Sequence, residues 1–299
     1  MTTWEILKAS RKYSALLLNG SSGRIHPDLI ACILLGLIGK RHRPPVVIGG
    51  DIWEPARGLR RFIQKVVVRL ADRGIDRYVV WSADDRDLLA GLWGVSASKI
   101  GVCLCYHHVT DKELAGEEAP TSGHIFAGGD SGRDYLPLVE AARCFPQTRF
   151  VLATAWTSPT PLPSNVELVL SKRTRTSHAE FIRLMRTARA VIVPLRRGMR
   201  RSIGQQTLLN SMYMGKPTIV VGTLGVRDYA SDGENALVVD GTVKEYVMAI
   251  GRILDPENRA AVNYMAEQGR VRARAFSPAA TAETLYAEVS ALVSERTET

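Results

Sequence analysis

The sequence predicts an α/β protein of two domains, each a parallel sheet with crossover helices. Three observations carry this. Short β-branched runs alternate with helical periodicity along the chain. A polar, aperiodic stretch divides the runs into two sets. The apolar share of 45% and charged share of 23% are those of a globular protein that can bury a core.

In the first set the strands fall at 15–18, 45–48, 78–81 and 100–104, with helices at 27–40, 56–73 and 84–93. In the second they fall at 125–127, 150–154, 166–170, 190–194, 218–221 and 236–239, with helices at 133–144, 178–188, 205–214, 243–253, 257–275 and 278–294. The polar segment His107–Gly123 lies between them and holds a proline and two glycines. Domains are therefore expected at 1–110 and 124–277, with a linker at 111–123. A C-terminal helix, 278–299, is expected to cross back to the first domain. The first domain opens directly at a strand and lacks a Gly-x-Gly-x-x-Gly turn, so it is not expected to hold a dinucleotide.

Composition narrows the function. The start, Met1 to Ser14, has no apolar core of the signal-peptide kind. The longest apolar run, Leu29–Gly39, falls short of the roughly 18 residues a spanning helix needs. A cytoplasmic protein is expected. Cys32, Cys103, Cys105 and Cys144 lack zinc spacing and are read as reduced packing residues. The six histidines show no ligand spacing, so no metal is expected. Net charge is +9, and residues 1–110 hold 16 Lys/Arg against 9 Asp/Glu. Such a bias suits an anionic partner. With no zinc finger, RNP motif or basic–aromatic strip, nucleic acid is not that partner.

The most specific stretch runs from Ser202 to Val221, with Gly204 opening a helix near Gln205, Leu208, Leu209 and Met212 on its buried face, Gly215 ending it and Lys216-Pro217 leading into a strand. A helix start after glycine presents free N–H groups and a positive dipole end, which suits a diphosphate. Around it lie Phe126-Ala-Gly-Gly-Asp-Ser-Gly-Arg-Asp-Tyr135, Ala188-Arg-Ala-Val-Ile-Val-Pro194 and Asp232-Gly-Glu-Asn-Ala-Leu-Val-Val239. Together these resemble the nucleotide-sugar domain of GT-B glycosyltransferases, specifically glycosyltransferase family 4, over about residues 124–240. There a strand ends in Gly before a basic residue, a later strand ends in Pro, and the helix closes on Gly-Lys-Pro. Residues 78–100 resemble the end of that family's acceptor domain.

The resemblance implies two Rossmann-like domains with parallel sheets facing across a cleft. It also implies transfer of a sugar from a UDP- or GDP-sugar, with retention and without metal or other cofactor. The acceptor is left open between a lipid-linked sugar, a glycan and a secondary-metabolite hydroxyl. The family's two glutamates, eight positions apart, fall on Ser202 and Asn210. Ser202 would face the transferred sugar and Asn210 the ribose, neither with a charge. Of the family's basic pair, Arg133 matches one position and Ser131 stands at the other, after Gly129. Arg201, and nearby Arg196, Arg197 and Arg200, could supply missing charge through a guanidinium fork. Ile203, Gly204, Gln205, Gln206 and Thr207 would form the diphosphate cradle. His107, His108, Asp51 and Glu54 are acceptor-side candidates.

In helix 56–73, Leu59, Phe62, Ile63, Val66, Val67 and Leu70 form one stripe, read as core, with arginines and Lys65 opposite. That basic face would give peripheral contact with an anionic membrane or a phosphate-bearing acceptor. Loss of both glutamates motivates a second reading, an inactive homologue serving as partner of another transferase. A GT-B epimerase or phosphorylase is disfavoured: the expected carboxylates and histidines by the phosphate loop are missing, and phosphorylases usually have much longer chains.

Overall fold

A computed structural model describes residues 2–20, 26–50, 55–114, 123–169 and 177–297. Asp51 and Glu54 lie outside the described residues. The chain forms two compact units. The first is Met1–Leu104 with Arg200–Ser202 and Ala279–Thr299, and the second is Cys105–Met199 with Ile203–Pro278.

The first unit opens on α1 (Thr3–Ala9), not on a strand as the sequence reading had it. A capping box makes this helix. Glu5 N–H donates to Thr2 Oγ1 at 3.3 Å, Thr2 N–H donates to Glu5 Oε2 at 2.6 Å, and Ile6 is buried. Four parallel strands follow in the order β1 (Leu16–Asn19), β2 (Val46–Gly49), β3 (Arg77–Val80) and β4 (Ile100–Val102). Alternation along the strands divides two cores. On one face Leu16, Leu18, Val46, Ile48, Tyr78 and Val80 pack with α1, α2 (Pro27–Gly36), α3 (Leu59–Ala71) and α4 (Ala83–Trp93). On the other, Val47, Val79 and Cys103 pack against Leu292, with Leu285 and Val289, all from α11 (Pro278–Thr297).

Helix α3 overturns the expected core stripe. Leu59, Phe62 and Ile63 are 74%, 65% and 52% exposed, and Val66 and Leu70 are exposed too. The helix has a second, narrower stripe, Val68 and Ala71 with Val67, and turns that one inward. Both stripes obey the same 3.6 period, so periodicity alone could not choose between them.

An ion cluster ties the C-terminal helix to this unit. Asp76 accepts from Arg43 Nη1 at 2.6 Å and lies 2.7 Å from Arg296 Nη2, while its Oδ2 also accepts the Val46 N–H at 2.9 Å. Burial pushes the Asp76 carboxyl up. The hydrogen bonds from Arg43 and Val46, with both guanidinium charges, outweigh that and hold it below its usual value.

In the second unit six parallel strands run in the order β10-β9-β8-β5-β6-β7: β5 (Ile125–Gly128), β6 (Phe150–Ala153), β7 (Val166–Leu168), β8 (Ala190–Val193), β9 (Thr218–Val221) and β10 (Leu237–Val239). The four-residue strands β5, β6, β8 and β9 are buried throughout, as a sheet covered on both faces requires. The helices are α5 (Asp111–Leu114), α6 (Leu136–Ala142), α7 (His178–Thr187), α8 (Gln205–Tyr213), α9 (Val243–Leu254) and α10 (Arg259–Arg274). The short α5 lies inside the stretch read as linker. The chain runs from β5 outward to β7, then returns to β8 on the other side of β5, so strand order reverses at the β5–β8 pair. Ligands of such sheets bind outside the strand ends at that point.

None of the four cysteines forms a disulfide. Cys32 and Cys103 are buried and Cys105 is half-buried, but Cys144, just past the end of α6, is exposed and so is not a packing residue.

Replacing Asp76 with alanine leaves Arg43 buried and unpaired, and is expected to cost the first unit about 3 kcal/mol, read by urea unfolding. Because the Asp76 carboxyl is depressed in the folded chain, its contribution is full above the ordinary carboxylate value near 4 and fades as pH falls below it. The variant should therefore show a flatter acid limb than the parent.

Candidate nucleotide-sugar site

A depression of about 280 Å³ opens where the strand order reverses. The turn after β5 supplies Gly129, Asp130, Ser131 and Arg133; α8 and its cap supply Gly204, Gln206, Thr207 and Asn210; α7 supplies His178 and Phe181.

Local chemistry dictates the turn. Gly132 has φ +61°, and a Cβ there would lie 2.0 Å from Ile203 Cδ1, so only glycine lets the turn close onto the segment before α8. Backbone bonds then tie it to the end of β8: Asp134 N–H donates to Pro194 O, and Arg196 N–H to Gly132 O, both at 2.8 Å. Tyr135 Oη donates to Gly129 O at 2.5 Å. Asp130 Oδ1 accepts from Thr154 Oγ1 and from Ala155 N–H, each at 2.7 Å, which ties the turn to the end of β6.

This frame aims Arg133. Its Nε donates to Gly128 O at 3.3 Å, Nη1 to Ser131 O at 2.8 Å and Nη2 to Thr207 Oγ1 at 3.1 Å. Among the described residues it makes no ion pair. Burial pulls the guanidinium down from its usual value, though such a group stays charged. Next to it begins α8, capped by Gly204 at φ +85° with no side chain bonded to its first N–H groups. A Cβ on Gly204 would lie 2.6 Å from Leu195 Cδ2. A cation and free helix-start amides thus meet in one depression.

The far side of the depression holds a hydrogen-bonded group. Asn210 Oδ1 accepts the His108 N–H at 2.7 Å, and Gln206 Nε2 donates to His108 Nδ1 at 2.6 Å. His108 stacks on Tyr106 with ring centroids 4.7 Å apart. Partial burial, then the nearby His178 and His107, hold the His108 imidazole below its usual range. Burial does the same for His107, whose Nδ1 donates to Val109 O at 3.0 Å and whose ring stacks 3.7 Å from Tyr213. Both are neutral at pH 7.

The structure brings together Gly129, Ser131, Arg133, Gly204, Gln206, Thr207 and Asn210. It leaves out the others. Ser202 is 1% exposed, and its hydroxyl lies 2.7 Å from Ser82 Oγ while its N–H donates to Asp85 Oδ1 at 2.9 Å, all within the first unit. Ile203 and Gln205 are buried beside the cap, and Arg201, Arg196, Arg197 and Arg200 do not line the depression. Within the motif, Lys216 Nζ donates to Ala188 O at 3.0 Å, while Asp232 and Asn235 accept backbone N–H groups, so these residues hold loops in shape. Sequence reasoning missed Asp130, His178 and Phe181. Asp130 stood in the quoted stretch beside Arg133, whereas α7 gave no signal beyond its serine cap, Ser177.

Residues 134–256 match the model of the family described as glycosyl transferases group 1, starting one residue after Arg133. The fold is shared with HepE from Anabaena, solved with UDP: 14% identity, TM-score 0.73, covering 97% of this chain and 82% of that one. A glycosyltransferase from Rickettsia africae matches at 12% identity and TM-score 0.70, over 97% and 80% of the two chains. Sucrose-phosphate synthase from Thermosynechococcus elongatus matches at 16% identity and TM-score 0.68, over 96% and 76%. No curated protein matches by sequence. The fold is GT-B, and residues 134–256 resemble the glycosyl transferases group 1.

Arg133→Ala is expected to weaken binding of a diphosphate anion in the depression by roughly tenfold to a hundredfold, the scale of one or two charge-assisted hydrogen bonds, measured by calorimetry with pyrophosphate. Arg133→Lys should recover only part of it, because an ammonium lacks the guanidinium fork. Gly204→Ala should also weaken binding, since its added methyl displaces Leu195 and crowds Arg133.

Proposed function

We propose that this protein is a glycosyltransferase that moves a sugar from a UDP- or GDP-sugar to an acceptor hydroxyl with retention and without a metal. The observation that carries the reading is the partly desolvated Arg133, without an ion pair among the described residues, beside the uncapped start of α8 at the reversal point of the six-stranded sheet. As the bond from the sugar's anomeric carbon to the diphosphate breaks, negative charge builds on the leaving oxygens. A fixed cation and helix-start amides stabilise that charge where it develops. Asp130, held by Thr154 and Ala155, keeps the turn in place during the reaction. The Asn210 side chain is the group for the ribose, offering its Nδ2 as donor while its oxygen holds the His108 amide. With His108 Nδ1 accepting from Gln206, its Nε2 carries the proton, so it serves the acceptor side by donating a hydrogen bond. We assign the acceptor to the lipid-linked class, with peripheral membrane contact through the basic segment 56–73.

One observation favours a second reading, an inactive partner of another transferase. Neither Ser202 nor Asn210 supplies a carboxylate, and the Ser202 hydroxyl is bound to Ser82. A panel of UDP- and GDP-sugars, each assayed for nucleotide release with and without acceptor, separates the two. The transferase reading expects release stimulated by acceptor and lost in Arg133→Ala. Saturable UDP binding with no release from any donor would establish the partner reading instead.

A further inference from the structure

The apolar stripe that the sequence assigns to the core lies on the outside of the first unit. On α3, Leu59, Phe62, Ile63, Val66 and Leu70 recur at helical spacing and are all exposed, Leu59 and Phe62 to 74% and 65%. The neighbouring helix α2 adds Ile30 and Leu34, and the turn after it adds Leu37 and Ile38, exposed between 40% and 76%. The two helices pack side by side, with Ile63 and Leu29 lining one depression, and their exposed apolar side chains make up the ridge. An isolated exposed leucine needs no explanation, but seven large apolar side chains on two adjacent helices, with two more in the turn after one of them, do.

Charge tells which surface would cover the ridge. Among the described residues from Ile30 to Ala71 there is no acidic side chain, while Lys40, Arg41, Arg60, Lys65 and Arg69 are exposed beside or within it. Arg43, the cation nearest the core, is already matched by Asp76. An apolar stripe flanked by exposed cations is the pattern of a helix lying in a membrane interface: apolar side chains enter the acyl boundary and cations meet anionic headgroups. No described helix is long and apolar enough to cross a membrane, so the contact is with one leaflet. Beneath the ridge a depression of about 260 Å³ is lined by Leu29, Ile63, Val67, Val68 and Trp93, with His26 and Gln64 at its polar side. Ile63 belongs to both, so a chain entering between α2 and α3 would meet apolar wall.

We infer that the α2–α3 ridge inserts into the outer acyl region of an anionic phospholipid bilayer, with Lys65 and Arg69 on its headgroups. The inference rests on the membrane-contact part of the reading above and deepens it: apolar insertion supplements attraction to the basic face. It does not depend on the sugar-transfer chemistry.

The test is co-sedimentation of the full chain with vesicles of phosphatidylcholine alone or mixed with phosphatidylglycerol, at low and moderate salt. Three proteins are compared: the parent, Phe62→Ser with Ile63→Ser, and Lys65→Glu with Arg69→Glu. All four positions are exposed, and UDP affinity serves as the folding control. The parent should bind the anionic vesicles. The serine pair should bind about tenfold more weakly or worse at both salts, since burial of two apolar side chains is lost. The glutamate pair should lose binding chiefly at low salt. Parent-like binding by the serine pair, with loss confined to the glutamate pair, would overturn insertion and leave an electrostatic contact standing. No binding by the parent would remove membrane contact altogether. A concentration-dependent dimer of the parent that the serine pair abolishes would overturn the inference in favour of a second copy on the ridge.

Discussion

A half-buried guanidinium with no ion pair among the described residues organises the second unit. Among the described residues the Arg133 side chain bonds to two carbonyls and a hydroxyl and makes no ion pair, so its position is specified by neutral partners. Such an arrangement is costly in an empty site and favourable once an anion arrives. The surrounding features serve it: the buried β5 strand ending at Gly128, the glycine turn that closes onto Ile203, and the Thr207 hydroxyl on the first turn of α8. The same hydroxyl bond couples the cation to the helix whose free amides face the same space, so the two anion-binding devices move as one.

The first unit deals with charge differently. Asp76 gathers Arg43, Arg296 and the Val46 amide into a closed group that leaves little for a ligand. Ser82, Asp85 and Ser202 form another satisfied buried cluster. What this unit leaves unsatisfied is apolar surface and surplus positive charge, both on its outer helices.

The alternation of elements was legible because β-branched runs and helical stripes differ in period, and all ten strands form where the sequence placed them, within a residue or two at the ends. The first helix was missed although Thr2 and Glu5 spell a capping box, because the apolar stripe behind it is a single buried residue, Ile6. Helix α3 was read in the wrong rotation because its apolar residues cover two faces and a lone sequence carries no information on which neighbour arrives. Within the site, the helix start at Gly204 and Thr207 was read from the glycine before it, whereas Arg133 came only from the family resemblance. Ser202 was not, since the partners that occupy it, Ser82 and Asp85, stand more than a hundred residues away. Strand order decided where the depression lies, and no local pattern encodes strand order.

The first sheet is finished by residues from the end of the chain. One face of β2 and β3 waits for Leu285, Val289 and Leu292, and the buried Asp76 waits for Arg296. During synthesis the first hundred residues therefore leave the ribosome with an uncovered apolar face, while the second unit, nearly contiguous from Cys105 to Pro278, has all its strands before α11 emerges. The order of maturation is reversed from the order of translation, and the nascent amino-terminal segment is the one that calls for chaperone protection.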